Sequence, residues 1–292
     1  AFHKERKHIA IRMQTQVYSA KSKSNLWRTL KAIGKEFPVA HALGFRFAQR
    51  NIRARYRQSL LGIVWALIPP LATAAIWIFL NQKNIVSLNH TGSSYALFVI
   101  TGTMLWSVFS NAVTMPIQSI QANAPILVKV NFPREALMIT AFYEIVFTSL
   151  ISLVIIAAEI VIFQIPVSGY TLLFIPAVLV LIMLGMCFGL LLLPFAILYK
   201  DIQFALPAFL QIAMYATPVV YATTALSGGF KILALNPVSP VLVSARDWLL
   251  GLQSTTGLLT LGGIGLVTII ILVAGFILQR IAMEILIERM GT

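Results

Sequence analysis

Acidic side chains are scarce in this chain: nine Asp and Glu stand against 22 Lys and Arg in 292 residues, and charged residues of both signs make up only 11%. A soluble domain carries about 25%, so this chain is not built to face water on all sides. Cysteine is nearly absent, and the lone Cys187 excludes an intrachain disulfide. The four histidines, His3, His8, His41 and His90, have no metal-ligand spacing. There is no G-x-x-x-x-G-K-[ST] stretch, so the chain does not bind ATP through a P-loop. No Ser/His/Asp set and no carboxylate pair stands in a catalytic setting. The first long apolar run begins only near Leu60, so no cleavable signal peptide is expected. The two halves carry no obvious inverted repeat, which argues against a secondary transporter.

What the chain has in place of charge is long apolar stretches. Hydrophobic residues make up 59%, and the mean hydropathy is +0.87. No Lys, Arg, Asp or Glu interrupts 58–82, 84–128, 160–199 or 248–279. A helix needs about 20 apolar residues to cross the bilayer core. The sequence therefore predicts an all-α integral membrane protein with six transmembrane helices, at about 61–80, 95–115, 137–163, 171–198, 203–222 and 258–281. The formal net charge of +13 fits topology better than nucleic acid, because 14 of the 22 basic residues precede the first span. With a cytoplasmic N-terminus, 19 basic residues fall inside and three outside. This is the positive-inside pattern, and it predicts both termini in the cytoplasm and no nucleic-acid partner.

Residues 1–36 read as a basic cytoplasmic tail. In 37–59, Arg46, Arg50, Arg53 and Arg57 recur at helical spacing while Ala40, Leu43 and Phe47 offer an apolar face. That pattern predicts an amphipathic helix in the membrane interface, either a plain anchor or a binder of anionic head groups. The remainder, 60–292, is the six-helix transmembrane domain. Within its first span, Pro69 and Pro70 predict a kink that frees the carbonyls of Trp65 and Ala66, which must then face protein or a water-filled cavity. Thr103, Ser107, Ser110 and Thr114 share a face of the second span beside Trp106. Gln211, Tyr215 and Pro218 do the same on the fifth, with Tyr221 one turn on. Such stripes either bond a neighbouring helix or line a path suited to sugars. Glu144 and Glu159 in the third span are functional candidates by position, or partners for an interfacial arginine.

Two connections stand out. "QSIQANAPILVKVNFPREALM" (118–138) is predicted to be a cytoplasmic loop with the apolar segment "ILVKVNF" between prolines; exposed, it needs a docking partner. "LNPVSPVLVSARDWLLG" (235–251) is predicted to form a short re-entrant or interfacial helix between spans five and six. Ser239 and Pro240 would start it, Gly251 would stop it, and Trp248 would lie at head-group depth.

Four stretches in this order, "RYRQSLLGIVWALIPP" (55–70), "APILVKVNFPRE" (124–135), "LYKDIQFALPAFLQIAMYATPVVY" (198–221) and "NPVSPVLVSARDWLLG" (236–251), resemble the membrane subunit of type-2 ABC exporters. The group resembled exports lipid-linked polysaccharides: O-antigen, capsule and wall teichoic acid permeases. The resemblance covers roughly 37–292; Lys200-Asp201 departs from the Arg-Asp pair more usual there, which keeps the charge and loses bidentate pairing. It implies a bacterial cytoplasmic (inner) membrane location and a permease of two copies around a channel. ATP and Mg would be bound by two partner P-loop ATPase subunits, with no cofactor in this chain.

The resemblance also implies roles for residues. Arg53, Arg55, Tyr56, Arg57 and Ser59 would hold a lipid pyrophosphate head group, which guanidinium suits. Trp65, Pro69, Pro70, Trp77, Trp106, Gln211, Tyr215 and Tyr221 would form a lateral gate and channel lining. Asn123, Pro125, Leu127, Lys129, Val130, Phe132 and Arg134 would couple to the ATPase. Asn236, Pro237, Arg246 and Trp248 would shape the outer mouth. The implied function is ATP-driven export of an undecaprenyl-pyrophosphate-linked polysaccharide. The alternatives are a type-2 ABC exporter of a drug, peptide or lipid; a membrane transferase using Glu144 or Asp201, neither of which has an evident partner; and a passive channel.

Overall fold

The computed structural model describes the backbone of residues 26–57, 59–85, 94–130, 132–222, 236–251 and 255–290, and side chains within these except 26–36, 128–129, 255–256 and 280–290. Every regular element described is helical. They are α1 (Leu26–Arg57), a 3₁₀ turn (Gly62–Ala66), α2 (Ile68–Gln82), α3 (Tyr95–Lys129) and α4 (Glu135–Ile162), then a second 3₁₀ turn (Gly169–Leu173), α5 (Phe174–Leu198), α6 (Lys200–Tyr215), α7 (Val238–Leu249) and α8 (Thr255–Met290). The chain divides into residues 1–36 and a compact unit over 37–292. In the first, the predicted basic tail, residues 1–25 lie outside those described and the rest is helical backbone.

Four helices are long and apolar enough to cross a membrane: Tyr95–Leu127, Glu135–Ile162, Gly169–Leu198 and Gly257–Gln279. The predicted first and fifth spans are shorter, with 15 residues in α2 and 16 in α6. At 1.5 Å per residue these measure about 22–24 Å, less than the roughly 30 Å hydrocarbon core. The exposed apolar side chains of α4 and α8 make sense only beside lipid or another apolar surface: just 17% of the most apolar stretch of α8 is buried within the chain.

α3 sits at the centre, packed against α2, α4 and α5, and α5 in turn carries α7 and α8. Small residues set that contact. Gly185 and Gly189, four apart on α5, lie so close to α3 that a Cβ on either would fall 2.5 Å from the Ala112 Cβ or the Val113 carbonyl oxygen. Such small-xxx-small spacing lets helix backbones approach closely where no water drives association.

Several expectations change. Pro69 and Pro70 do not kink a helix; α2 begins at Ile68, and both prolines fill its first turn. There an N–H would have no acceptor four residues back, so the missing donor costs nothing and the fixed φ favours the helix. The chain passes from 3₁₀ to α at Leu67. Residues 118–129 are not loop, because α3 continues unbroken through Pro116 and Pro125 to Lys129. At 35 residues α3 measures about 52 Å, well beyond the hydrocarbon core. Pro218 and Tyr221 lie in the turn after α6, not on its face. Trp248 is fully buried in the core rather than exposed on the surface, because α7 packs on α5, α3 and α8.

Candidate functional site

Residues 37–57 of α1 do not lie apart as a bare interfacial helix; they dock on the start of α4. Ala40, Gly44 and Ala48, on one face, are buried, and the Thr140 hydroxyl donates to the Gly44 carbonyl at 3.1 Å. Phe47 meets Phe132 edge-on at 5.6 Å, and Tyr56 meets Phe147 at 6.0 Å. On this support the arginines take different surroundings. The Arg55 Nη2 donates to Glu144 Oε2 at 3.1 Å, a salt bridge across 89 residues of chain. Asn51 Nδ2 donates to the other oxygen, Glu144 Oε1, at 2.8 Å. Arg50 Nη2 donates to Asn51 Oδ1 at 3.1 Å and to Asn123 Oδ1 on α3. Arg53 and Arg57 are exposed and form no ion pair among the described residues. Arg55 and Arg57 also close the last turn of α1, where cations favour the helix dipole.

Beyond α1 the chain turns at Gly62, whose φ of +51° suits glycine, and the Ser59 hydroxyl accepts the Gly62 N–H at 3.0 Å. This turn borders a cleft of about 510 Å³ lined by Arg55, Tyr56, Ser59, Gly62, Trp65, Ala66, Pro69, Pro70, Ser107, Asn111, Met115, Gln118 and Thr148. A second cleft of about 280 Å³ shares Pro69, Pro70, Ser107, Asn111 and Gln118 and continues past Thr73, Thr103, Trp106, Ser110 and Thr114 to Pro207, Leu210, Gln211 and Met214 of α6. A polar track thus runs along α3 between α2 and α6, with Arg55 at one end and Gln211 at the other. Its lining holds one charged side chain, Arg55, in the first cleft and none in the second.

Hydroxyls along the track bond mostly to their own helices. Thr73 donates to the Pro69 carbonyl at 2.9 Å, and Thr114 to that of Ser110 at 3.1 Å. Such back-bonding removes a donor from hydrocarbon and leaves the oxygen able to accept. Ser110 Oγ is buried beside the cleft with no hydrogen-bond partner among the described residues.

Of the predicted lining, Trp65, Pro69, Pro70, Trp106 and Gln211 reach the clefts. Trp77 and Tyr215 instead face each other at 6.2 Å, joining α2 to α6. The half-buried Tyr221 donates its hydroxyl to the Tyr215 carbonyl at 3.1 Å. Sequence reading missed Asn111, Gln118, Thr73 and Thr148. The first two were accessible to it, because Ser107, Asn111, Thr114 and Gln118 continue the α3 stripe at helical spacing.

The predicted coupling residues occupy the end of α3 and the turn after it. Asn123 and Leu127 are buried, Pro125 and Val130 exposed, and Phe132 and Arg134 half-buried. The Lys129 side chain lies outside the described residues. Of the predicted outer-mouth residues, Arg246 and Trp248 are interior. Arg246 Nη1 donates to the Pro218 and Val219 carbonyls at 3.3 Å each, and its guanidinium lies 3.5 Å from the Phe98 ring centroid. It satisfies backbone carbonyls of the turn that follows α6. Asn236 Oδ1 accepts the Val238 N–H at 3.0 Å and starts α7, and its Nδ2 donates to Thr217 Oγ1 at 2.9 Å. Asn236 therefore satisfies the first N–H of this helix, which starts at Val238, one residue before the predicted Ser239, while Pro237 is half-buried beside it. Gly251, at φ +72°, ends it as predicted.

Of the two carboxylates, Glu144 does pair with an interfacial arginine, and the expectation that it lacks a partner is corrected. Glu159 bonds the Thr101 hydroxyl at 2.7 Å instead. Asp201 is exposed in the first turn of α6. No group of three or more His, Cys, Asp or Glu able to hold a metal occurs among the described residues.

No family model matches the chain. It is similar to two curated proteins of Klebsiella pneumoniae named O-antigen export system permease protein RfbA. They are 25% and 24% identical over 221 residues, which span 72% of this chain and 83% of each relative. A protein of the same name from Myxococcus xanthus is 25% identical over 199 residues, 67% of this chain and 75% of that protein. The resemblance to polysaccharide-export permeases of the type-2 ABC class, read from four short stretches, is thus borne out along most of the chain. With four helices long and apolar enough to cross a membrane, it is a multi-pass membrane protein.

Proposed function

We propose that this relative of the polysaccharide-export permeases is the transmembrane subunit of an ATP-driven exporter that moves a lipid-linked, O-antigen-like polysaccharide across the bacterial cytoplasmic membrane. The observation that carries the reading is the polar track from Arg55 to Gln211. One end combines Arg55 with the Ser59 hydroxyl and the tight turn at Gly62, which suits a phosphate-bearing head group. The rest is lined by hydroxyls, amides, a tryptophan and apolar side chains without charge, which suits a neutral glycan that hydrogen-bonds and stacks.

In this reading α2 with its preceding 3₁₀ turn and α6 with its following turn complete a set of six spans, with both termini cytoplasmic. Two copies face each other, and their tracks border a shared channel. The end of α3 beyond the membrane carries the coupling surface for two separate P-loop ATPase subunits, which supply ATP and Mg. The re-entrant α7 shapes the outer mouth.

The test is affinity purification of the tagged full-length chain from its native membranes in mild detergent, with mass spectrometry of proteins and lipids retained. A stoichiometric P-loop ATPase and a lipid-pyrophosphate glycan are expected. An Arg53→Gln/Arg57→Gln variant is expected to keep the ATPase and lose most of the glycan lipid. Repeated recovery of the chain alone would overturn the exporter reading. Retention of an ATPase with a drug, peptide or plain lipid would favour the other type-2 exporters.

A further inference from the structure

We infer that Glu144 is the internal counter-ion of Arg55, and that an anionic head group binds at Arg55 in competition with it. The inference rests on the reading that the larger cleft receives a phosphate-bearing head group. Glu144 thereby sets the strength of that site and keeps its ligand releasable.

The geometry is specific. The Glu144 side chain is 1% exposed and that of Arg55 36%, so the carboxylate is inside and the guanidinium reaches the cleft wall. Glu144 accepts from Arg55 at 3.1 Å and from Asn51 at 2.8 Å, one bond to each oxygen. A guanidinium has five N–H donors, and its one bond to Glu144 leaves a second anion room on the cleft side. The other polar group touching it is the thioether of Met115, at 3.8 Å from both Nη atoms, which is a weak acceptor. Arg55 can therefore bridge carboxylate and phosphate, but the two negative charges repel each other across it. Full transfer of Arg55 to the phosphate would leave a buried carboxylate without its cation, which proteins strongly resist. Either way, the ligand binds less tightly than it would to an unopposed arginine.

A transporter gains from that. Exposed Arg53 and Arg57 already attract an anion, and a third unopposed guanidinium would hold a pyrophosphate too well to release it. Asn51, which steadies Glu144, also accepts from Arg50, whose same nitrogen bonds Asn123 on α3. The counter-ion is thus tied to the helix whose end carries the coupling segment, and a head group that loosens Glu144 acts on that link.

The test uses the full-length chain in phosphatidylcholine nanodiscs, with geranylgeranyl pyrophosphate as probe and geranylgeraniol and inorganic pyrophosphate as controls. Glu144→Gln is expected to bind the lipid pyrophosphate about tenfold more tightly than wild type, from loss of one nearby like charge. Arg55→Gln is expected to bind more weakly. In the double variant the Glu144→Gln gain should vanish, a coupling that a purely structural role for Glu144 would not produce. Should Glu144→Gln fail to fold, Glu144→Asp, with its carboxylate drawn back from Arg55, is expected to bind several-fold tighter than wild type. Unchanged or weaker binding by the Glu144 variants, with Arg55→Gln still impaired, would overturn the counter-ion inference alone. Binding indifferent to Arg55 would overturn the head-group reading and this inference with it. A Glu144-dependent gain for inorganic pyrophosphate but not for the lipid would refute a lipid head group as the competitor.

Discussion

Replacing Gly102 with alanine adds one methyl group and tests how α3 meets the turn after α6. A Cβ built at Gly102 lies 2.3 Å from the Val219 carbonyl oxygen and 3.2 Å from its carbon. Ordinary contact begins near 3.4 Å, so α3 and the turn must separate by about 1.1 Å, the difference between 3.4 and 2.3. The clashing atom is backbone and cannot rotate away. It also accepts from Arg246 at 3.3 Å, and the next carbonyl, of Val220, accepts from the Tyr95 hydroxyl at 3.2 Å. Overpacking costs about 1–3 kcal/mol, and a displaced turn that strains two buried hydrogen bonds belongs at the upper end. At about 2–4 °C per kcal/mol for a unit of this size, Gly102→Ala should lower the thermal midpoint in detergent by roughly 5 °C or more. Gly262→Ala on α8 is the control, because no atom lies within 4 Å of its Cβ position. There the better helix propensity of alanine, about 0.5–1 kcal/mol, should leave the midpoint unchanged or raised. Equal midpoints for the two variants would refute the close approach of α3 to the 216–221 turn.

Trp248→Ala should cost about 3–5 kcal/mol as a fully buried ring leaving a cavity; a thermal midpoint near wild type would return the ring to the membrane surface. For ATPase coupling, exposed Val130 and buried Leu127 separate two effects. Val130→Glu should abolish ATPase co-purification at an unchanged thermal midpoint, whereas Leu127→Glu should lower both. An intact complex from Val130→Glu would remove the α3 end from the coupling role.

Much of this molecule is written in one dimension. The uninterrupted apolar stretches require membrane-crossing helices, because no other open-chain element satisfies its backbone in lipid. The basic N-terminal segment and the arginine spacing in 37–57 mark an amphipathic helix, and the hydroxyl stripe on α3 marks its polar side. Gly251 stops α7 for a local reason, a left-handed φ. Each of these depends on residues within a few turns of one another.

What the tertiary structure decided depends on partners far apart in the chain. Nothing near Arg55 announces Glu144, 89 residues away, so no spacing could separate this arginine from Arg53 and Arg57. Arg246 and Trp248 look like surface residues of a short helix until α7 is packed on α5 and α3, when the charge becomes a donor to carbonyls of the turn after α6 and the ring becomes core. Pro69 and Pro70 read as a kink because the sequence does not say where α2 begins; the 3₁₀ turn before them makes them its first turn. Hydropathy could determine that helices cross a membrane, since lipid acts on every residue alike. Which polar groups meet inside was left to the packing, because a buried charge or carbonyl is satisfied only by the particular group the fold brings within hydrogen-bond reach.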